Sequence, residues 1–234
     1  MSLKASIEHI DSLNHLFGVA TTIYLPECNL RCPYCFNMDL VNGIGVTEYK
    51  WIDFVSDVNK NKSGNFVVTG GEPTYNENFE KIINCLDALN VTKSIQINTN
   101  MLKPDKLSWF LSSVKNPIVA FDFKTTLKNY DEMNPLCPDC DGKFISSLFV
   151  LKRHIEEINP NIHIQCRTTL YKGIDLEKLM EMAEMLDSVS CKHFTWNLQD
   201  IYPSKEIPSE MVKDYIDLLK KDFLIKILYN NEEV

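Results

Sequence analysis

The 234-residue chain has no run of about 18 apolar residues, so no membrane-spanning helix is expected. Its first stretch, MSLKASIEHIDSLNHLFG, lacks an apolar core long enough for a signal peptide. A basic excess is missing too. The 24 Lys and Arg are outnumbered by 32 Asp and Glu, for a formal net charge of −8. That balance argues against a polyanion as main partner, because nucleic-acid binding draws on a basic surface. No low-complexity linker interrupts the chain. These absences leave a cytoplasmic globular protein, 44% apolar and 24% charged, large enough for one large domain or two small ones. In that compartment its eight cysteines are expected to be reduced, metal-bound or inert rather than disulfide-bonded.

What the chain does have is a regular alternation. Short apolar runs at 17–26, 65–73, 93–100, 116–124, 161–170 and 192–199 read as strands. Helix-period runs lie between and after them, at 47–60, 76–90, 104–114, 142–158, 175–189 and 209–222. Thr47 and Asp175 are candidate N-caps, and Pro104 suits a first helical turn. The tail FLIKILYNNEEV is ambiguous. Six βα units imply an α/β fold with a parallel sheet and right-handed crossovers. An open, partial (βα)6 barrel with outer helices is the first choice and a doubly wound sheet the second. The expected organisation is a single domain over 1–234, with a core of about 17–203 and a helical extension over 204–234.

Either fold puts its chemistry at the carboxyl ends of the strands. The suggestive residues collect there: Cys28–Cys35, Gly70–Glu72, Asn98–Asn100, Asp122–Lys124, Arg167 and Asn197–Gln199. Cys28, Cys32 and Cys35 form a C-x3-C-x2-C triplet, CNLRCPYC. Three thiolates fit a [4Fe–4S] cluster with one iron left for an outside ligand. The competing readings are zinc, a disulfide or inert thiols. Structural zinc takes four ligands, and no His lies near this triplet. Asp122 and Lys124, two apart on a strand, share one face. That is compatible with a functional pair or with an ion pair at the sheet rim. Gly70 and Gly71 allow a close backbone approach. Glu72 is an acceptor or a helix-entry acid.

The triplet, with Tyr34 before its last cysteine, resembles the signature of the radical S-adenosylmethionine (SAM) superfamily. TGGEP (69–73) resembles that superfamily's glycine-rich SAM-contact motif. The resemblance implies a partial (βα)6 barrel. It also implies an enzyme whose [4Fe–4S] cluster, on Cys28, Cys32 and Cys35, cleaves SAM reductively to a 5′-deoxyadenosyl radical. AFDFKT (120–125), INTN (97–100) and Arg167 are similar to segments of glycyl-radical-enzyme activating enzymes. NLQDIYP (197–203) resembles the ending of anaerobic ribonucleotide reductase activating proteins. The resemblance thus implies hydrogen abstraction from a glycine of a partner glycyl radical enzyme. A flavodoxin or ferredoxin would be the electron donor. The SAM contacts it implies are Tyr34, Gly70, Gly71, Glu72, Asn98, Thr99, Asp122, Lys124 and Arg167. No residue is singled out as catalytic. Asn98 stands where the activases carry an aspartate that helps bind a cation, and Phe36-Asn37 replaces their His-Asn. The alternative is a small-molecule enzyme of the same superfamily, such as one like 7-carboxy-7-deazaguanine synthase. CPDC (137–140) is left over. It reads as half of a second metal site, completed by a residue such as Cys166, Cys191, His154 or His193, as a redox or substrate contact, or as a plain loop.

Overall fold

Runs rich in β-branched and aromatic residues form the strands, and the amphipathic runs between them form helices. The computed structural model describes residues 2–12, 14–189, 194–201, 206–223 and 226–233. The fold is α/β, an open and mostly parallel sheet with surrounding helices. Two units are built along the chain. The first takes Met1–Asn29, Asn37–Thr99 and Lys103–Val119, and the second takes Leu30–Phe36, Asn100–Leu102 and Ala120–Val234.

In the first unit β1 (Ser2–Asp11), β2 (Ala20–Leu25), β3 (Thr47–Lys50), β4 (Asn65–Gly70) and β5 (Ser94–Thr99) stand in the order β3-β1-β2-β4-β5. β2, β4 and β5 are parallel, with Leu25 opposite Gly70, while β1 runs antiparallel to both of its neighbours. The short α1 (Met38–Val41) precedes β3, and α2 (Trp51–Val58), α3 (Phe79–Asp87) and α4 (Pro104–Ser113) follow β3, β4 and β5. Phe79, Ile82, Ile83 and Leu86 turn inward from α3, as their spacing predicts. Pro104 opens α4. β6 (Pro117–Asp122) begins in this unit.

Two expectations fail here. Residues 47–60 are not one helix. Thr47–Lys50 pair antiparallel with Ser2–Ala5, and the helix starts only at Trp51, so Thr47 caps nothing. Cross-strand pairing outweighs the modest helical preference of a four-residue segment. Phe54 and Val58 are the buried residues of α2, whereas Ile52 is 71% exposed.

The second unit holds the end of β6, α5 (Cys140–Glu157), β7 (His163–Leu170), α6 (Leu176–Ser188), β8 (Phe194–Asp200), α7 (Ser209–Asp222), β9 (Lys226–Tyr229) and β10 (Glu232–Glu233). β7, β8 and β9 are parallel neighbours, and β10 folds back antiparallel on β9. Asp175 caps α6 by accepting from the Lys178 amide at 2.9 Å. α5 buries Phe144, Leu148, Leu151 and Ile155, while Ile158, at its C-cap, is 63% exposed. The extension expected to be helical is so only in α7. The ambiguous tail supplies β9 and β10 through a turn with positive φ at Asn230 and Asn231. An aromatic cluster forms this unit's core. Phe144 lies 4.7 Å from Phe123, 6.2 Å from Phe121 and 6.0 Å from Tyr130, ring centre to ring centre. Cys191, Lys192, His193 and Pro203, named in the sequence reading, lie outside the described residues.

Candidate cluster and cofactor site

The motif residues follow the carboxyl ends of β2, β4, β5 and β6, as the βα alternation requires. In the first unit, the strand ends carrying Cys28 and the double glycine lie side by side. The Gly71 amide donates to the Leu25 carbonyl at 2.8 Å, and the Glu72 amide to the Glu27 carbonyl at 2.8 Å. Gly70 has φ +116°, and a Cβ on Gly71 would run into the Glu27 carbonyl. The protein's own backbone therefore requires both glycines.

Glu72 is buried, at 1% exposure. Its Oε1 accepts from the Thr74 amide at 3.1 Å, from Thr74 Oγ1 at 2.5 Å and from Thr99 Oγ1 at 2.8 Å. It thus caps the 3-10 turn Pro73–Tyr75, the helix-entry role, and ties that turn to β5 through Thr99. Asn98 is buried and its Oδ1 accepts from Gln96 Nε2 at 2.8 Å. A cavity of about 180 Å³, lined by Asp87, Asn90, Lys93, Ser94, Lys115 and Asn116, carries none of the motif residues.

The second unit holds Cys32, Tyr34 and Cys35. The Cys35 amide donates to the Cys32 carbonyl at 3.1 Å, a tight turn around Pro33. The Arg31 amide donates to the Met133 carbonyl at 3.0 Å, and Asn134 Nδ2 returns a bond to the Arg31 carbonyl at 3.2 Å. Cys28, Cys32 and Cys35 are in no disulfide. Burial pushes the Cys32 thiol up, against the pull of the Lys124 ammonium.

Asp122, Lys124 and Arg167 do come together. Asp122 Oδ1 accepts from Arg167 Nε at 3.0 Å and lies 3.0 Å from Nη2, while Oδ2 accepts from Lys124 Nζ at 3.1 Å. The side chains of Lys124 and Arg167 are 16% and 15% exposed, that of Asp122 34%. Burial alone would raise the Asp122 carboxyl, but the two cations outweigh it and hold it below the usual carboxylate range. Burial would lower the Lys124 ammonium, yet Asp122 and the nearby Cys32, Tyr34 and Tyr130 raise it well above the lysine range. Lys124 therefore stays charged near Cys32. Cys166, next to Arg167 in β7, is fully buried, and burial keeps it protonated.

Two residues absent from the sequence reading belong to this cluster. Tyr171 packs on Tyr34 at 4.7 Å between ring centres and donates to Glu132 at 2.7 Å. Tyr130 is buried, and its hydroxyl and that of Tyr34 have no hydrogen-bond partner among the described residues. Neither Tyr130 nor Tyr171 belongs to a motif in the sequence, so nothing there marked them. No group of three or more His, Cys, Asp and Glu placed to hold a metal is present among the described residues, neither at Cys137 and Cys140 nor at Cys28, Cys32 and Cys35.

Comparison with known proteins agrees with the motifs. The family model described as Radical SAM superfamily matches residues 22–134. A Methanocaldococcus jannaschii protein assigned as a glycyl-radical enzyme activating enzyme is 24% identical over 196 residues, 78% of this chain and 75% of the relative. The 7-carboxy-7-deazaguanine synthase of Aquifex aeolicus is 31% identical over 101 residues, 43% of this chain and 45% of that enzyme. Among solved structures, Streptococcus suis SuiB bound to the precursor peptide SuiA matches 88% of the chain with a TM-score of 0.63 and 17% identity. The FeFe-hydrogenase maturase HydG of Carboxydothermus hydrogenoformans also matches over 88%, with a TM-score of 0.50 and 15% identity. The chain spans 47% and 58% of these two chains, and the likeness is one of fold.

Proposed function

We propose that the chain is a radical SAM enzyme, of a family whose members carry an iron–sulfur cluster and use SAM, and within that family a glycyl-radical-enzyme activating enzyme. Its substrate would be a backbone glycine of a partner such as an anaerobic ribonucleotide reductase, with a flavodoxin or ferredoxin as electron donor. The M. jannaschii relative carries this reading, because it aligns with about three quarters of both chains rather than with the cysteine region alone.

The proposed cluster ligands are Cys28, Cys32 and Cys35. The donor chemistry fits such a group, since three thiols outside any disulfide lie within eight residues of sequence, and among the described residues the buried hydroxyls of Tyr34 and Tyr130 have no hydrogen-bond partner. When bound, the cluster and SAM supply the one-electron chemistry and the hydrogen-abstracting radical. The residues of this chain bind and orient. Cys32 must give up the proton that burial holds on it, so loading a metal there releases a proton and is favoured by higher pH. Lys124, kept cationic by Asp122, offers a donor to an anionic group, and Arg167 holds Asp122 from the other side. Gly70, Gly71, Glu72, Asn98, Thr99 and Tyr34 are the remaining proposed SAM contacts. Glu72 and Thr99 would act by fixing the turn after β4 as well as by any direct contact.

The test is anaerobic. Wild-type protein, reconstituted and reduced, should hold about four irons and release 5′-deoxyadenosine from SAM. Mixed with the glycyl radical enzyme of the same organism, it should raise that partner's glycyl radical signal in electron paramagnetic resonance. Cys32→Ala should lose cluster, cleavage and signal together. SAM cleavage without a glycyl radical would refute the activase reading while leaving the family standing. The identity to the A. aeolicus synthase favours a second reading, a small-molecule radical SAM enzyme, and formation of 7-carboxy-7-deazaguanine by this protein would establish it.

A further inference from the structure

The CPDC segment has no part in the proposed reaction, yet it is built as a pair. Cys140 is the first residue of the 18-residue helix α5, and it is 5% exposed. Cys137 lies outside the helix and is partly exposed. Pro138 and Asp139 between them turn the chain, Asp139 with φ 58° and ψ 48°. The turn is pinned from the helix, since the Lys143 amide donates to the Asp139 carbonyl at 3.1 Å and Lys143 Nζ to the Pro138 carbonyl at 2.6 Å. The outcome is an Sγ–Sγ distance of 3.4 Å, with Cys140 Sγ also 3.3 Å from the Cys137 carbonyl. A disulfide bond of about 2.0 Å needs only a small rotation of both side chains from there. A metal would need further ligands, and the described residues provide no group of three.

We propose that Cys137 and Cys140 are a redox-active dithiol that closes to a disulfide by exchange with a low-molecular-weight disulfide of the glutathione type. Cys137, the accessible thiol, loses its proton to solvent and attacks one sulfur of the small disulfide, expelling one thiolate. Cys140 then loses its proton and attacks Cys137 Sγ, forming the internal bond and expelling the second thiolate. The two cysteines lose two electrons, and the small disulfide gains them as two thiols. The order of attack follows from exposure. It agrees with the Cys140 thiol being pushed up to about 12 by burial and by its contact with Cys137, which leaves it a poor first nucleophile. An ammonium at Lys143 sits over the turn and opposes that rise.

The sequence makes the test direct, because trypsin releases Asn129–Lys143 with these two cysteines and no others. Reconstituted full-length protein is equilibrated anaerobically over a series of reduced-to-oxidised glutathione ratios, acid-quenched, alkylated, digested and analysed by mass spectrometry. The expected result is conversion of this peptide to the internal disulfide, reversed by excess reduced glutathione. Cys140→Ser should stop at a glutathione adduct on Cys137, and Cys137→Ser should leave Cys140 unmodified. The proposal is overturned if the wild-type peptide stays a dithiol in oxidised glutathione alone. It is equally overturned if Cys140 is the residue that takes the adduct, or if the wild type carries one more zinc or iron than the doubly substituted protein. None of these readouts depends on SAM cleavage, so the activase reading can fail without this one.

Discussion

Asp122 is the residue whose removal should be felt most clearly outside the chemistry itself. Its two oxygens divide their bonds between Lys124 and Arg167, and both cations are largely shielded from water. Asp122→Asn leaves the shape but takes away the charge that both were placed to meet. Breaking a fully buried pair costs about 3–5 kcal/mol, whereas an exposed pair is worth about 0–1 kcal/mol. With Asp122 34% exposed and its partners near 15%, the loss belongs between these limits, about 1–3 kcal/mol. For a chain of this size that lowers Tm by roughly 2–12 °C. The pH dependence has a definite sign. The folded carboxyl is held below its unfolded value of about 3.9, so its contribution is complete above that pH and disappears as pH falls through the folded value. Thermal unfolding of both proteins from pH 3 to pH 7 measures it. The gap should be full at pH 7 and close below about pH 4. A variant as stable as wild type at neutral pH, or a gap that widens in acid, would refute the account of the triad.

Three other changes probe neighbouring features. Phe144→Ala removes the ring on which Phe121, Phe123 and Tyr130 pack, and urea unfolding should register a loss of about 3–5 kcal/mol. Gly71→Ala drives a Cβ into the Glu27 carbonyl, so thermal unfolding should show a lower Tm than wild type even without cofactor. Thr99→Val withdraws a donor from the buried Glu72 carboxylate, which should lower stability by about 1–2 kcal/mol. The same substitution in a Glu72→Gln background should cost less, and equal costs in the two backgrounds would dismiss that bond.

The parallel strands and most helices were legible because each satisfies its own period and its own capping chemistry. Asp175 at α6 and Pro104 at α4 are examples. Gly70, Thr99 and Asp122 stand at the last positions of β4, β5 and β6, where the alternation predicts strands to end, while Arg167 lies inside β7. What escaped reading depends on partners far away in sequence. SLKASIEHID forms β1 although it carries charges along its length, because alternate residues such as Leu3 and Ala5 are buried between β2 and β3. Thr47–Lys50 joins it for that reason alone. Glu72 was legible as an acid beside two glycines, but its hydrogen bond from Thr99 could not be seen without knowing that β5 lies next to β4. Tyr130 and Tyr171 carry no motif, and only the packing around Tyr34, Cys32 and Lys124 gives them meaning.

The strand order of the first unit has a consequence for how copies of this protein behave in company. Its bordering strand β3 is four residues long and carries Glu48 and Lys50. A border so short and charged offers few unpaired amides and carbonyls to a passing strand. The long apolar strands Ala20–Leu25 and Asn65–Gly70 have a paired neighbour on each side, where they cannot serve as templates. Growth of fibres through added strands is thereby discouraged at that border by one of the least conspicuous elements of the fold.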